Sequence, residues 1–263
     1  MWEAYRYVAV QSYLHHSGIV EAPFHLGIHN YLYDFGLMSL VTEDTKIEYK
    51  IIHGDAEYAL SYKHDNQVPI APVIRTEHLS YETYVFLSEN RSFIPNMLAV
   101  ATQGIDIQDK LFMETFSAFN IAASVLESVD LPYLNMRFKY NKSASNGDRY
   151  QIVPMDNHHD VIEYKYASSG IQTSTPLTVI ARYLANHYSF KNDFNRSVIG
   201  NLIKDDQLTK FTPAAEVGEM RKVINMHIEE PELSLYPDAQ RLLISHLVDI
   251  IKNANDDRDM QLM

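Results

Sequence analysis

Hydrophobic residues recur with helical spacing in four parts of the chain. In the first part, Trp2, Tyr5, Val8 and Ala9 are spaced to share one face of a helix, which we predict over residues 1–16. The other predicted helical regions are 93–128, interrupted at Asp106 or Asp109, a segment that begins near Thr173 with Pro176 in its first turn, and a segment that begins near Pro237. Each region can pack one apolar side against a core.

Short runs of β-branched and aromatic residues predict strands. "TKIEYKII" and "AEYALSYK" flank a turn that contains Gly54, so we predict an antiparallel hairpin over residues 45–63. The other predicted strands are 81–87, 133–140, 150–155, 161–167 and 223–228, and "RDMQLM" begins a further strand. The polar stretch 186–222 receives no element. Mixed strands and helices of this kind predict an α/β fold.

The order of these elements predicts three parts within one compact domain. Residues 1–92 form an N-terminal part that holds the antiparallel hairpin, and residues 93–130 form a helical insertion. Residues 131–263 form an α/β part that contains the strand over 223–228.

Composition limits the classes of function. The 263 residues contain no cysteine, which excludes disulfides, thiolate metal sites and cysteine nucleophiles. A net charge of −12 argues against a protein that coats nucleic acid through its bulk charge. The first residues lack the pattern of a signal peptide, and no charge-free window reaches membrane-spanning length. We therefore expect a soluble, cytoplasmic protein that makes no contact with a membrane.

The most informative stretch is "VINMHIEEPELSLYPDAQ", residues 223–240. A buried strand ends there in Glu229 and Glu230, and Glu232 follows two residues later. Three carboxylates so close together repel one another, so either the strand ends in water or a cation belongs beside them. The run E-E-P alone favours a solvated acidic turn. The leucine, the second proline and the glutamine that follow favour a functional loop.

With those residues, "IEEPELSLYPDAQ" is similar to hhh-[DE]-E-P-E-x-x-L-x-P-x-x-Q. That pattern contains the Walker B strand of ATP-binding-cassette (ABC) ATPases in the branch of RecF-, SMC- and OLD-like proteins. The resemblance implies a P-loop NTPase-like core sheet, in which Glu229 holds Mg²⁺ through water. It also implies that Glu230 orients and deprotonates the water that attacks the γ-phosphate of ATP. Glu229 stands where many relatives have aspartate.

A second stretch resembles the signature motif of the same family. "SSGIQ", residues 168–172, lies between a predicted strand and a predicted helix and is similar to L-S-G-G-Q and S-S-G-x-Q. The resemblance implies that Ser168, Ser169, Gly170 and Gln172 bind the nucleotide of a second copy of the chain. Taken alone, this stretch is typical of a polar turn or a helix cap. Its position about sixty residues before Glu229 agrees with the order of motifs in the family.

Other family features are weak or absent. Glu89 and Arg91, in "YVFLSENRSFIP", correspond loosely to a stretch like "YIPAERS" and imply a charged contact near the nucleotide. The sequence contains no phosphate loop of the form G-x-x-x-x-G-K-[ST] and no switch histidine after "MQLM". The resemblance therefore implies a domain truncated at both ends, which by itself hydrolyses little ATP.

These observations predict an ATP-binding and ATP-hydrolysing domain that uses Mg²⁺ and dimerises around ATP. The partner is a second copy or a homologous ATPase subunit, and relatives serve DNA maintenance or phage defence, with a nuclease partner or DNA. One alternative is a non-catalytic interaction protein that keeps the fold, and another is a metal-assisted hydrolase built on the three glutamates. Metal sites at His25 with His29, or in "DNHHD" at 156–160, are disfavoured.

Overall fold

The computed structural model of the chain describes residues 2–63, 69–100, 110–144, 149–156, 160–204, 206–211 and 220–263. Its helices are α1 (Trp2–His16), α2 (Ile28–Asp34), α3 (Ile94–Val100), α4 (Lys110–Leu126), α5 (Ser169–Asn186), α6 (Phe190–Lys204) and α7 (Pro237–Lys252). Its strands are β1 (Phe24–His25), β2 (Lys46–His53), β3 (Ala56–Lys63), β4 (Ile70–Ala71), β5 (Ser80–Leu87), β6 (Ser128–Leu131), β7 (Met136–Tyr140), β8 (Tyr150–Pro154), β9 (Ile162–Glu163), β10 (Arg221–Ile228) and β11 (Asp259–Leu262).

The predicted α/β class is confirmed, and so are the first helix, the hairpin and the helix that begins at Pro237. The hairpin pairs Lys46 with Lys63 and His53 with Ala56. The predicted break at Asp106 or Asp109 lies outside the described residues. Within the described part of the chain, none of the helices combines the length and apolar character that a membrane crossing needs.

The contacts divide the chain into two compact units, each built from two segments. Unit 1 contains residues 1–82 and 189–223, and unit 2 contains residues 83–188 and 224–263. The boundaries fall within β5 and β10. The predicted three-part division, with its limits near residues 92 and 130, stays a prediction.

Unit 1 has a core between α1 and the antiparallel hairpin. Tyr5, Val8 and Ala9, which the helical pattern placed on one face, are buried there with Leu60 and Tyr62 of the hairpin. The Tyr5 hydroxyl donates to the Ser80 carbonyl at 2.9 Å. Burial raises the pKa of Tyr5 to about 12, so this hydroxyl remains a donor at neutral pH. The apolar face of α1 is thus both packed and fixed by a polar contact.

Helix α6 occupies part of the stretch 186–222, to which the sequence pattern assigned no element. Its buried residues recur at every fourth position: Phe190, Phe194, Val198 and Leu202. Such a narrow stripe is enough to hold a helix against a neighbour. The Phe194 ring packs edge-on against the Tyr81 ring, with their centroids 5.1 Å apart.

Unit 2 contains a three-stranded sheet in the order β11, β10, β5, with β10 in the middle. Met263 donates to the Met226 carbonyl and accepts from the Ile228 N–H, which is the hydrogen-bond pattern of parallel strands. On the other side, the Glu229 N–H donates to the Leu87 carbonyl at 3.1 Å. The carboxyl ends of β5 and β10 therefore meet at the same edge of the sheet.

The second sheet of unit 2 is antiparallel, in the order β6, β7, β8, β9. Helix α4 packs against it, with the Phe119 ring in a cluster of aromatic rings. The ring centroids of Phe138, Tyr150 and Tyr164 lie 5.6, 6.2 and 5.9 Å from that of Phe119. Phe119 and Phe138 are both fully buried. This cluster forms the centre of the helix–sheet interface.

Two predicted boundaries around α5 are wrong. The strand predicted at 161–167 is limited to Ile162–Glu163 and gives way to a 3₁₀ turn at Tyr164–Tyr166. The helix begins at Ser169 rather than near Thr173, which places Pro176 in its interior. A proline there has no N–H to offer the carbonyl four residues earlier, that of Gln172. The Tyr164 hydroxyl donates to that carbonyl at 2.7 Å, so the 3₁₀ turn supplies the missing donor.

Replacing Tyr164 by Phe is expected to destabilise the protein by about 1 kcal/mol, because the partly buried Gln172 carbonyl then loses the hydroxyl that donates to it. Burial raises the pKa of Tyr164 well above its usual range, so the hydroxyl is a donor at every pH suitable for the measurement. The free energy of unfolding from urea titration checks the prediction. Tyr166→Phe is the matched control, since Tyr166 is 72% exposed. Equal losses in the two variants would contradict the role given to Tyr164.

Candidate functional site

The two carboxylates singled out in the sequence stand at the end of the central strand. Glu229 directly follows β10, and both Glu229 and Glu230 are exposed. One carboxylate oxygen of Glu229 accepts the N–H of Glu89, which begins a 3₁₀ turn after β5, at 3.3 Å. The edge of a parallel sheet beyond its carboxyl ends is where ligands bind in open α/β folds. Water reaches these side chains, which limits the cost of their mutual repulsion.

The loop that follows the strand, residues 229–236, has an unusual backbone. Glu230 and Ser234 have φ angles of +43° and +64°, a region that residues other than glycine rarely enter. Two short turns stabilise this loop. The Leu233 N–H donates to the backbone carbonyl of Glu230, and the Leu235 N–H donates to the backbone carbonyl of Glu232. Strained backbone of this kind costs about 1–3 kcal/mol per residue and is concentrated at functional sites.

The hydrogen bonds of Gln240 show why the sequence pattern has a glutamine at this position. Gln240 lies in the first turns of α7, and its side-chain nitrogen donates to the Leu235 carbonyl at 2.9 Å. A weaker contact of 3.4 Å reaches the Glu232 carbonyl. Gln240 therefore fixes the end of the loop from the following helix.

The predicted signature residues stand at the start of α5. Ser168 is at the N-cap position, yet its side chain makes no capping hydrogen bond, and Ser168 and Ser169 are both exposed. The first N–H groups of a helix have no partner within the helix. Gln172 differs from the serines: its side-chain nitrogen donates to the Lys165 carbonyl at 2.8 Å. Two exposed hydroxyls and a helix N-terminus are thus available at this point.

Gly170 brings this turn against the acidic loop. A Cβ atom at Gly170 would lie 2.8 Å from the Ser234 carbonyl oxygen and 3.0 Å from a methyl group of Leu235. Only glycine allows so close an approach of the two backbones. The Thr173 hydroxyl adds a hydrogen bond of 2.8 Å to the Leu233 carbonyl. The structure therefore brings the predicted turn and the predicted acidic loop into direct contact.

The Arg91 side chain contacts both the acidic loop and the first turns of α5. The side chain is fully buried and donates to the carbonyls of Ser88 (3.0 Å), Thr173 (2.9 Å), Glu229 (2.7 Å) and Glu230. Burial lowers the pKa of Arg91, and the carboxylates of Glu230, Glu229 and Glu232 oppose that shift. An arginine nevertheless stays protonated in proteins. The positive charge of Arg91 therefore lies near the carboxylates of Glu229, Glu230 and Glu232.

The donor set fits a hard divalent cation only in part. A carboxylate oxygen is the ligand type that Mg²⁺ takes, and one or two carboxylates are enough when phosphate and water complete the shell. Among the described residues there is no group of three or more histidine, aspartate or glutamate side chains that could hold a metal by themselves. Residues 157–159, within "DNHHD", lie outside the described part of the chain. Glu229 thus suits a metal that arrives with a phosphate ligand.

Sequence reasoning missed how Arg91 is used. The loose likeness around residue 91 pointed to a charged contact near a nucleotide, whereas the side chain is buried against backbone carbonyls. One signal was available: Arg91 precedes an apolar run that begins at Phe93. That position does not reveal burial, because the partners lie 82 and 138 residues away in the chain.

Comparison of the chain with protein-family models, with curated proteins and with solved structures yields no significant match.

Proposed function

We propose that this chain is the ATP-hydrolysing part of an ABC-type ATPase of the RecF-, SMC- and OLD-like branch. In this proposal, Glu230 is the general base and Glu229 is the Mg²⁺ ligand. Ser168, Ser169 and Gly170 bind the nucleotide held by a second copy, with Ser169 and Gly170 at its γ-phosphate, and Gln172 holds the turn in place. The domain works in the cytoplasm with a second copy or a homologous subunit, and couples ATP turnover to DNA maintenance or phage defence.

One observation carries the proposal: the exposed acidic pair ends the central strand of a parallel sheet, and the loop that it begins contacts the serine-glycine turn. A solvated acidic turn on a surface bend needs neither the buried arginine behind it nor the glycine contact beside it. The two motifs lie about sixty residues apart in the sequence. Their direct contact through Gly170 and Ser234 therefore supports a common role.

The general-base role proposed for Glu230 is based on its exposed position beside the end of β10. A general base has to reach a water molecule, and the carboxylate of Glu230 is exposed beside the strand end. The left-handed backbone at Glu230 turns its carbonyl towards Arg91, which fixes the residue without using the carboxylate. The side chain therefore stays available to accept a proton.

The metal assigned to Glu229 would supply charge neutralisation for the phosphates. Glu229 offers it one carboxylate, whose other contact is the Glu89 N–H. The residues described here supply no phosphate cradle, and the sequence has no phosphate loop. A complete site therefore needs further residues, contributed by the same gene product or by another subunit.

The test is Mg²⁺-dependent ATP hydrolysis by the full-length gene product and its Glu230→Gln variant. We expect the variant to lose about 100-fold in kcat, since general-base catalysis contributes a factor of roughly 10²–10⁴. Binding of a fluorescent ATP analogue should remain within a factor of a few, because Gln keeps the shape of the side chain. The 263 residues alone should hydrolyse little ATP.

The missing phosphate loop favours a second candidate, a non-catalytic interaction protein that has kept the fold. It predicts a full-length product that neither binds nor hydrolyses ATP, with Glu230→Gln unchanged in every assay. A hydrolase that needs a metal but no nucleotide would instead cleave its substrate without ATP. Either result would reject the ATPase proposal.

A further inference from the structure

Arg91 is the one charged side chain that is fully buried among the residues described. A buried charge without compensation is strongly unfavourable, so a protein retains one where it makes several good contacts. None of the ion pairs within the described residues involves Arg91. Its hydrogen bonds go to backbone carbonyls, and the carboxylates of the neighbouring glutamates are exposed. Arg91 is thus solvated by the protein backbone.

The four carbonyls belong to three different segments. Ser88 lies on the turn that carries Arg91, Thr173 lies in the first turns of α5, and Glu229 and Glu230 begin the acidic loop. Three guanidinium nitrogens make these contacts. Arg91 therefore links the turn after β5, the start of α5 and the acidic loop.

We propose that Arg91 is a positioning residue that fixes the acidic loop and the first turns of α5 relative to each other. Its catalytic meaning rests on the proposed ATPase function, because the loop carries Glu230 and α5 carries the serine-glycine turn. A constant distance between these two segments keeps the base of one site and the phosphate-binding turn of the next in register. The Thr173 hydroxyl, which donates to Leu233 at 2.8 Å, is a second and weaker tie between the same segments.

The planar fork of arginine is required for this role. Arg91 uses three nitrogens that point in different directions, whereas lysine has a single nitrogen with three donors. Lysine would keep the positive charge but lose most of the four contacts. The Arg91–Glu230 bond also offsets the cost of the left-handed backbone at Glu230, where φ is +43°. Replacement by lysine should therefore release both segments together.

The experiment is hydrogen–deuterium exchange of the 263-residue chain without nucleotide, comparing the wild type with Arg91→Lys. The reporting amides are those of Leu233 and Leu235 in the loop and that of Gln172 in α5, each of which is hydrogen-bonded. We expect more than tenfold faster exchange at both sites. Arg258→Lys is the matched control, because Arg258 is 5% exposed and donates to the carbonyls of Leu184 and Tyr188 at the other end of α5.

Faster exchange in only one segment, or in neither, would overturn the proposal, as would an equal effect of Arg258→Lys. If Arg91→Lys does not fold, native-state exchange of the wild type in sub-denaturing urea replaces it. The amides of Leu233, Leu235 and Gln172 should then open together with equal free energies, and opening of one segment before the other would overturn the proposal. In the full-length protein, Arg91→Lys should lower kcat for ATP more than it changes KM. A wild type without ATPase activity would reject the proposed function, while the exchange result would still decide the role of Arg91.

Discussion

Replacing Gly170 by valine is expected to destabilise the protein by about 3 kcal/mol, at the upper end of the usual cost of overpacking. The first added carbon alone would lie 2.8 Å from the Ser234 carbonyl oxygen, which is a backbone atom and does not move independently of its loop. Valine adds two more methyl groups at the same place. The start of α5 and the acidic loop would therefore have to separate.

Gly200→Val provides the matched control for this prediction. Gly200 also lies within a helix, but no atom lies within 4 Å of the position where its Cβ would be. Valine is somewhat better than glycine in a helix, so this variant should stay within about 0.5 kcal/mol of the wild type. Urea unfolding followed by circular dichroism measures both variants. Equal stability of Gly170→Val and Gly200→Val would contradict the close contact between Gly170 and the Ser234 carbonyl.

Replacing Phe119 by alanine is expected to cost about 3–5 kcal/mol, a large part of the stability of an ordinary domain. The ring is fully buried among Phe138, Tyr150 and Tyr164, and its removal leaves a cavity that three rigid aromatic rings fill poorly. Tyr164 also donates to α5, so loosening the cluster should weaken that contact as well. The free energy of unfolding in urea is the measurement.

Val125→Ala is the control on the same helix, because Val125 is 47% exposed and should change the stability by less than about 0.5 kcal/mol. A loss of less than 1 kcal/mol in Phe119→Ala would contradict the central place given to this cluster. A similar loss in both variants would instead indicate that the loss does not depend on burial in the aromatic cluster, since alanine by itself favours a helix.

Local patterns predicted many elements because those elements depend on local rules. The hairpin has a turn residue at Gly54, the first helix has a periodic apolar face, and the last helix has Pro237 in its first turn. Each of these signals lies within a few consecutive residues. The strand before Glu229 was predicted for the same reason, since it is a short apolar run between polar residues. The parallel pairing of that strand was expected only through the family resemblance.

The remaining features depend on packing and hydrogen bonds that the local sequence pattern does not show. Helix α6 was missed because its buried residues form a stripe one residue wide within a polar stretch. The interior position of Pro176 was missed because Tyr164 supplies the donor that the proline removes. The burial of Arg91 was missed because charge normally indicates exposure. The partners of Arg91 lie 82 and 138 residues away, and even the eight residues between Tyr164 and Gln172 lie outside the local helical pattern.

The order in which the ribosome makes the chain has a consequence for the edge that carries Glu229 and Glu230. Arg91 and Glu229 are 138 residues apart, and β11 follows still later. During synthesis, β5 therefore emerges long before its neighbour β10 exists, with an unpaired backbone and the aromatic residues Tyr84 and Phe86. Nascent chains halted before residue 220 should accordingly associate with chaperones, and chains that extend past β11 should be released.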